Sequence, residues 1–240
     1  MNLRHATLLL AAALLGACSE ETVGPTGAES TQPFGRMRFV NAVPDAATSD
    51  RVNVLVEDLP FAVNLAFGVA APAAPTLYFP VYAGSRKIAV RRTADTTVHV
   101  LDASVPIAAN TDQTVFAVKQ GGVATTVVVT DDNSLPPPDS VKLRVIHLAQ
   151  SAGNVDIYVT APNASIATVV PTFANVAPGT VSTYLKLLRG AYQVRFTAPG
   201  STVVILTITT PTLAAGAVRT AVSLDPQTGT ALAGVTLTDR

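Results

Sequence analysis

The chain has 240 residues, of which 48% are hydrophobic and 13% charged, and its 16 Lys and Arg balance its 16 Asp and Glu. A neutral chain with so few ionic groups lacks the basic face that nucleic-acid binding requires, so we expect no nucleic-acid partner. Disorder of the whole chain is also excluded, because disordered proteins combine low hydrophobicity with high charge.

The first 17 residues have the pattern of a bacterial export signal. Arg4 gives a positive start, and residues 6–15 form an apolar run. That run is too short to span a membrane, which takes about 20 residues. It ends in Leu15-Gly16-Ala17-Cys18, which resembles the lipobox of bacterial lipoproteins. We therefore predict a signal peptide over residues 1–17 and lipid (palmitate and diacylglycerol) on Cys18; an ordinary secretory signal is the alternative.

The residues after the signal indicate a location and a tether. Cys18 is the only cysteine, so it cannot form an intramolecular disulfide, and Ser19 follows it. In the familiar enterobacterial sorting rule an aspartate at that place favours the inner membrane, so the resemblance predicts an outer-membrane lipoprotein facing the periplasm or the cell surface. Several acyl chains would anchor it firmly in the cell envelope. Residues 18–35 are rich in Ser, Thr, Glu, Gly and Pro and predict a flexible tether.

From Arg36 onward, short segments of alternating polarity are separated by Gly, Pro, Asn and Asp. Val52, Val54 and Val56 alternate with Asn53, Leu55 and Glu57, and Val194 and Phe196 alternate with Gln193, Arg195 and Thr197. A period of two residues predicts strands that turn one face toward a core. Repeated turn signals between such strands favour an all-β sandwich.

The sequence after residue 35 also repeats itself. The matching segments are 36–42 with 142–148, 51–56 with 154–159, 78–84 with 184–190, and 107–110 with 213–216. Most matches lie 106 residues apart, which indicates two copies of a whole domain rather than a short structural repeat. We predict domains at residues 36–132 and 139–240. The proline-rich residues 133–138 would form a stiff linker, with a proline-rich recognition motif as the alternative.

The order of these segments resembles the bacterial domain of unknown function 4397, in tandem copies. Residues 155–159 (VDIYV) and 213–216 (LAAG) carry most of the likeness, whereas the first copy departs from it at Asn53 and Asn110. The resemblance implies an exported protein, often lipid-anchored, with all-β, Ig-like, antiparallel β-sandwich domains. It implies no reaction and no functional residues.

Recognised catalytic motifs are missing from the sequence. There is no nucleophile elbow, phosphate-binding loop, dinucleotide loop or zinc-binding HExxH helix. We therefore expect no enzymatic activity and no cofactor or metal. The two histidines beyond the signal peptide lie in different copies, and we interpret both as ordinary sheet residues, with His99 on the solvent face and His147 at the end of a strand.

Two pairs of acidic residues could serve as calcium ligands. They are Asp45 with Asp50 and Asp131 with Asp132. Calcium takes six to eight oxygen ligands, and neither pair lies in a recognised calcium-loop spacing. Aspartates that cap turns explain both pairs more simply.

The low aromatic content of the chain argues against a sugar-binding site. Sugar sites often use aromatic faces, yet the chain has no Trp and only 5% aromatic residues. We attribute most tyrosines, including Tyr78, Tyr82 and Tyr184, to packing within strands.

The densest charge lies in residues 86–92 (RKIAVRR), with four cations, whereas the matching segment of the second copy has only Arg195. This cluster is either a site for an anionic envelope polymer or an edge or solvent face that charge protects against aggregation.

Taken together, the sequence predicts a lipid-anchored envelope protein with a non-catalytic binding or scaffolding role. Its partner would be an envelope polysaccharide or protein, and the alternative is an envelope hydrolase or sugar-processing accessory protein.

Overall fold

The computed structural model describes residues 32–44 and 51–240. Within these residues every regular element is a β-strand apart from one 3-10 turn at Gln150–Ala152. No helix in them is long and apolar enough to cross a membrane. The predicted all-β fold is confirmed.

The first half of the chain, residues 32–132, is called copy one. Its strands are β1 (Phe34–Ala42), β2 (Val52–Val56), β3 (Leu59–Leu65), β4 (Ala70–Ala71), β5 (Phe79–Tyr82), β6 (Gly84–Arg92), β7 (His99–Ile107), β8 (Asp112–Gln120) and β9 (Val123–Asp131). The predicted tether is therefore too long at its end, because β1 begins at Phe34. The carbonyl oxygen of Phe34 accepts a hydrogen bond from the backbone of Asn110 at 2.8 Å, which fixes this first residue to the sheet.

The second half, residues 139–240, is called copy two. Its strands are β10 (Ser140–His147), β11 (Val155–Thr160), β12 (Phe173–Val176), β13 (Thr180–Val181), β14 (Leu185–Leu188), β15 (Gln193–Thr197), β16 (Val204–Thr209), β17 (Val218–Leu224) and β18 (Ala233–Thr238). Each copy builds two sheets from its own strands. The outer sheets have the orders β3-β2-β6-β7 and β12-β11-β15-β16. The inner sheets have the orders β4-β1-β8-β9, with β5 beside β1, and β13-β10-β17-β18, with β14 beside β10.

The expectation of purely antiparallel sheets is wrong for one strand pair in each copy. Strands β1 and β8 run parallel, and so do β10 and β17. Parallel neighbours need a long crossover connection. In each copy the strands of the outer sheet, with the short strands beside the first strand, lie between the two parallel partners in the chain and supply that connection.

Each copy has a hydrophobic core between its two sheets. In copy one this core includes the fully buried side chains of Phe39, Val54 and Ile88. In copy two it includes Leu143 and Phe196. The alternation predicted for the outer strands is confirmed, since Val52 and Val54 are buried while their neighbours are partly exposed.

A third core lies between the two copies. It joins side chains from both inner sheets, among them Val40 and Phe116 of copy one with Ile146 and Val222 of copy two. The inner sheets are therefore covered on both faces, which explains why their strands are nearly continuously buried rather than alternating. The proline-rich residues 133–138 therefore do not hold the copies apart, because this core joins them directly.

Candidate functional site

Some of the predicted site residues cannot be placed. Cys18 lies outside the described residues, as do Asp45 and Asp50. Lipid attachment and the first of the two candidate calcium pairs therefore stay predictions. Within the described residues, no group of three His, Cys, Asp or Glu side chains is arranged to hold a metal ion.

The two histidines lie in sheets, as predicted. His99 is mostly exposed, and its Nδ1 lies 2.9 Å from Oδ2 of Asp102. His147 is buried, with Nδ1 2.8 Å from Oγ of Ser223 and Nε2 2.9 Å from the carbonyl oxygen of Gly153. Because a carbonyl can only accept, Nε2 carries the proton of the neutral ring. Burial lowers the pKa of His147, so the ring stays neutral near neutral pH.

The turn interpretation of the second acidic pair holds for one residue only. Oδ1 of Asp132 accepts a hydrogen bond from the backbone of Ser134 at 3.0 Å, and Oδ2 lies 2.6 Å from Nζ of Lys142. Asp131, by contrast, ends β9 with a fully buried side chain. Its carboxylate belongs to a network of charges between the copies, so the turn interpretation of Asp131 is wrong.

This network, called the inter-copy ion network, pairs each copy with the other. Nη2 of Arg38 in copy one lies 2.6 Å from Oδ1 of Asp239 in copy two. In the reverse direction, Nη2 of Arg144 in copy two pairs with Oδ1 of Asp131 in copy one. All four side chains are at most 2% exposed. The two ion pairs are thus equivalent contacts made in opposite directions.

Neighbouring hydroxyl groups complete the network. Thr114 accepts hydrogen bonds from Arg38 and donates to Asp131, while Thr220 does the same between Arg144 and Asp239. The phenol of Tyr78 donates to Asp131 at 2.9 Å. Burial raises the pKa of Tyr78 above its usual value, so the phenol keeps this proton. Each of the four charged side chains in the network has an oppositely charged partner, which makes the network a structural junction rather than a reactive site.

The cationic segment at residues 86–92 forms β6, which lies between β2 and β7 in the outer sheet of copy one. The edge interpretation is therefore wrong. The solvent-face interpretation agrees with two contacts on that face: Nζ of Lys87 lies 2.8 Å from Asp58, and Nη2 of Arg91 lies 2.7 Å from Asp102. Carboxylates already neutralise these cations, which weakens the case for an anionic ligand here.

Residues of copy one, together with Asn133, Ser134 and Arg240, line a groove of about 600 Å³. At its base, Nε and Nη2 of Arg36 donate to the two oxygens of Asp112, at 2.6 and 2.7 Å. Nδ2 of Asn133 donates to the same carboxylate at 2.6 Å. Asp112 is buried while the Arg36 side chain is 61% exposed. The buried carboxylate thus holds the guanidinium flat, with Nη1 free of hydrogen bonds within the described residues.

The groove also has a buried acceptor. Oδ1 of Asn133 receives no hydrogen bond from the described residues. An unsatisfied buried acceptor costs about 1–3 kcal/mol of stability. Arg240 lines the same groove and donates from Nη1 to the carbonyl oxygen of Asn133 at 3.2 Å. We call this region the polar groove.

An aromatic pair adjoins the polar groove through Phe34, which lines it. The rings of Phe34 and Tyr82 stack with their centres 4.3 Å apart, and the two residues are 46% and 50% exposed. Phe34 also lines a second, mainly apolar groove of about 380 Å³ that contains Tyr82 and Phe61. We call this region the aromatic groove. Phe34 is therefore shared by both grooves.

Sequence reasoning missed this site for two reasons. Phe34 was included in the tether, and Tyr82 was attributed to packing, an interpretation that its exposure contradicts. The pairing of Phe34 with Tyr82 and of Arg36 with Asp112 depends on strand register between residues 48 and 76 positions apart in the chain. The available signal was the clustering of Phe79, Tyr82 and Arg86 in one short segment, which no known motif singles out.

The same positions of copy two carry no such site. Ser140 pairs with Leu188 where copy one has Phe34 with Tyr82. Likewise Lys142 pairs with Val218 where copy one has Arg36 with Asp112. Copy two therefore lacks both the aromatic pair and the guanidinium held by a carboxylate.

Comparison with solved structures gives weak likenesses. A structure described as alpha-glucan binding by a streptococcal virulence factor matches with 13% identity and a TM-score of 0.25, over 73% of this chain and 87% of the other. The family 26 carbohydrate-binding module of Amy13K from Eubacterium rectale, bound to maltoheptaose, matches with 7% identity and a TM-score of 0.25, over 85% and 97%. The pneumococcal glycogen-degrading virulence factor SpuA matches with 14% identity and a TM-score of 0.25, over 77% of this chain but 20% of that one.

Comparison with curated proteins gives no significant match. A family model, in contrast, matches residues 35–158. The match covers copy one from the second residue of β1 and continues into copy two as far as β11. It spans more than half of the chain, and the protein therefore belongs to the family of the domain of unknown function DUF4397.

Proposed function

We propose that the protein is a non-catalytic carbohydrate-binding protein of the bacterial envelope, held at the membrane by lipid on Cys18. The observation that carries the proposed ligand is the exposed Phe34–Tyr82 pair beside the Arg36–Asp112 ion pair. Sugars offer a ring face with C–H groups and a rim of hydroxyls. Aromatic rings pack against the C–H face of a sugar, and a guanidinium held in place by a carboxylate donates hydrogen bonds to its hydroxyls.

The geometry favours binding over hydrolysis. Glycosidases use two carboxyl groups that flank the bond to be cleaved. In the polar groove both oxygens of Asp112 already accept N–H groups from Arg36 and Asn133. Asp131, the other carboxylate of this groove, is fully buried and bonded to Arg144, Thr114 and Tyr78. Neither carboxylate is placed to transfer a proton to a ligand.

Retention on immobilised polysaccharides tests the ligand. Full-length protein in detergent would be passed over soluble starch, β-glucan, xylan and chitin. We expect retention on at least one polymer, and its loss in Phe34→Ala and in Tyr82→Ala. Leu188→Ala is the matched control, because Leu188 is exposed at the position of copy two that corresponds to Tyr82. Retention that Phe34→Ala and Tyr82→Ala leave unchanged contradicts the proposed site.

The anchor is tested separately. Cys18 is the only cysteine available for acylation, so Cys18→Ser should move the protein out of the membrane fraction and abolish labelling with radioactive palmitate. Equal palmitate incorporation into Cys18→Ser would contradict the lipoprotein assignment without affecting the proposed ligand.

A further inference from the structure

We infer that the site of copy one binds the interior of an extended glycan chain, laid across the strands, rather than a single sugar or a chain end. This inference rests on the proposed function. It depends on how the two grooves are joined and on what closes their ends.

The two grooves form one surface, because they meet at Phe34. Tyr82 lies on β5, Phe34 and Arg36 on β1, Asp112 on β8 and Asp131 on β9. These four strands are direct neighbours, and Arg36 pairs in register with Asp112, which pairs with Asp131. Three strand spacings of about 4.8 Å give a length of about 14 Å. That length exceeds a single sugar ring.

Chemical character changes along this length. At the β5 end, the stacked side chains of Phe34 and Tyr82 are about half exposed, and the aromatic groove continues to Phe61. From β1 toward β9, Arg36 and Arg240 offer N–H groups for hydrogen bonds. A chain of linked sugar rings presents both kinds of surface at every unit, so successive units can stack at one end and hydrogen-bond at the other.

Neither end of this surface is closed. Tyr82 at one end is half exposed, and Ser134 and Arg240 at the other end are exposed. A site for a chain terminus encloses that terminus in a blind pocket. Here a glycan chain can continue past both ends of the surface, which favours recognition of its internal sugar units.

The test measures affinity against chain length. Calorimetry on the full-length protein would use cello- and malto-oligosaccharides from glucose to the hexasaccharide. We expect the affinity for one series to rise by about tenfold or more between the monosaccharide and the tetrasaccharide, and then to level off. Tyr82→Ala should lower the affinity for the longer oligosaccharides and so flatten this rise, whereas Leu188→Ala should behave as wild type. Borohydride reduction of the chain end should not weaken the hexasaccharide.

The failures are distinguishable. Equal affinity for glucose and for the hexasaccharide would overturn this inference and leave the proposed function standing. Loss of binding on reduction of the chain end would do the same, because it assigns the site to a terminus. No binding to either series, together with no retention on any of the four polymers, would overturn the proposed function and the inference with it.

Discussion

The two copies share one architecture and differ at one edge. Both have the same strand order, and both contribute an arginine, a threonine and an aspartate to the inter-copy ion network. At the start of the first strand they diverge. Copy one places Phe34 and Arg36 there, and copy two places Ser140 and Lys142.

This difference separates residues that maintain the fold from residues that serve a ligand. The side chains shared by both copies are buried, and each has a partner in the other copy or beside it. The side chains found only in copy one are exposed or line a groove. Lys142 illustrates the change, since it no longer faces a carboxylate in its own sheet and instead contacts Asp132 and Ser134 in the linker region. Copy two thus holds the linker where copy one holds the candidate site.

The largest expected effect comes from breaking what the copies share. Asp131→Ala leaves Arg144 buried without its partner, and Asp239→Ala does the same to Arg38. Removing one member of a buried ion pair costs about 3–5 kcal/mol of unfolding free energy. We expect Asp131→Ala to be the worse of the two, because Asp131 also lies 3.5 Å from Arg38. Urea denaturation of the full-length protein measures both. Asp102→Ala, which removes a carboxylate that is 43% exposed and paired with Arg91, is the control.

If the free energy of unfolding of Asp131→Ala lies within about 1 kcal/mol of the wild-type value, the Arg144–Asp131 pair contributes no more than an exposed ion pair. The network would then contribute little to the junction between the copies. The shared hydrophobic core would have to hold them together alone.

A smaller effect is expected where copy one has a glycine and copy two a valine. A Cβ added to Gly35 would lie 2.3 Å from the carbonyl oxygen of Ala108, whereas Val141 fits at the corresponding place in β10. Gly35→Ala should therefore destabilise the protein by about 1–3 kcal/mol, as overpacking does. Because Gly35 lies between Phe34 and Arg36, it should also weaken polysaccharide retention. Unchanged stability and retention would mean that β1 tolerates a shift away from Ala108.

A further prediction replaces His147 of copy two with the type of residue found at the matching position of copy one. His147 corresponds to Asn41, and burial lowers the pKa of His147 below its ordinary value of 6.5. The unfolded chain therefore binds a proton more readily than the folded one as the pH falls below 6.5, and stability falls with it. His147→Asn, which introduces the residue of copy one, should remove this part of the pH dependence. Thermal unfolding between pH 7 and pH 5 tests it, and an identical pH profile for the variant would contradict the assignment.

The smallest effect is expected at the cationic strand of copy one. Arg91 pairs with Asp102 at the solvent face of β6, a central strand of its sheet. Arg91→Ser should leave retention on anionic polysaccharide unchanged and should not promote self-association, because β6 has no free edge. Light scattering and retention on alginate measure the two. Salt-sensitive retention that disappears in Arg91→Ser would move the binding site to this strand.

Much of the fold could be predicted because local patterns determine it. Alternation in β2 and β15 predicted strands with one buried face, and matches 106 residues apart predicted equivalent halves. The junction between the copies was not predictable in this way. Burial of Phe39 and Val40, consecutive residues on opposite faces, depends on a second sheet whose position no local pattern records.

The candidate site was less accessible to sequence reasoning. Arg36 and Asp112 meet only because two parallel strands align in register, and Phe34 reaches Tyr82 only because β5 lies on the other side of β1. Asp131 and Asp132 are adjacent in sequence, yet one is buried in an ion network and the other caps a turn. Local residue type cannot separate such neighbours, because the difference comes from which sheet covers them.

The reciprocal ion pairs of the junction indicate how a chain with two copies of one domain can arise. Each copy offers its partner the same surface, which is the geometry of a two-fold symmetric dimer. Linking two such domains in one chain turns their association into an intramolecular event that no longer depends on protein concentration. In a homodimer, every substitution occurs in both subunits. In a fused chain, a substitution at an exposed edge changes one copy and leaves the other as it was. A fused dimer can therefore evolve one binding edge and one edge that supports the linker from a single ancestral surface.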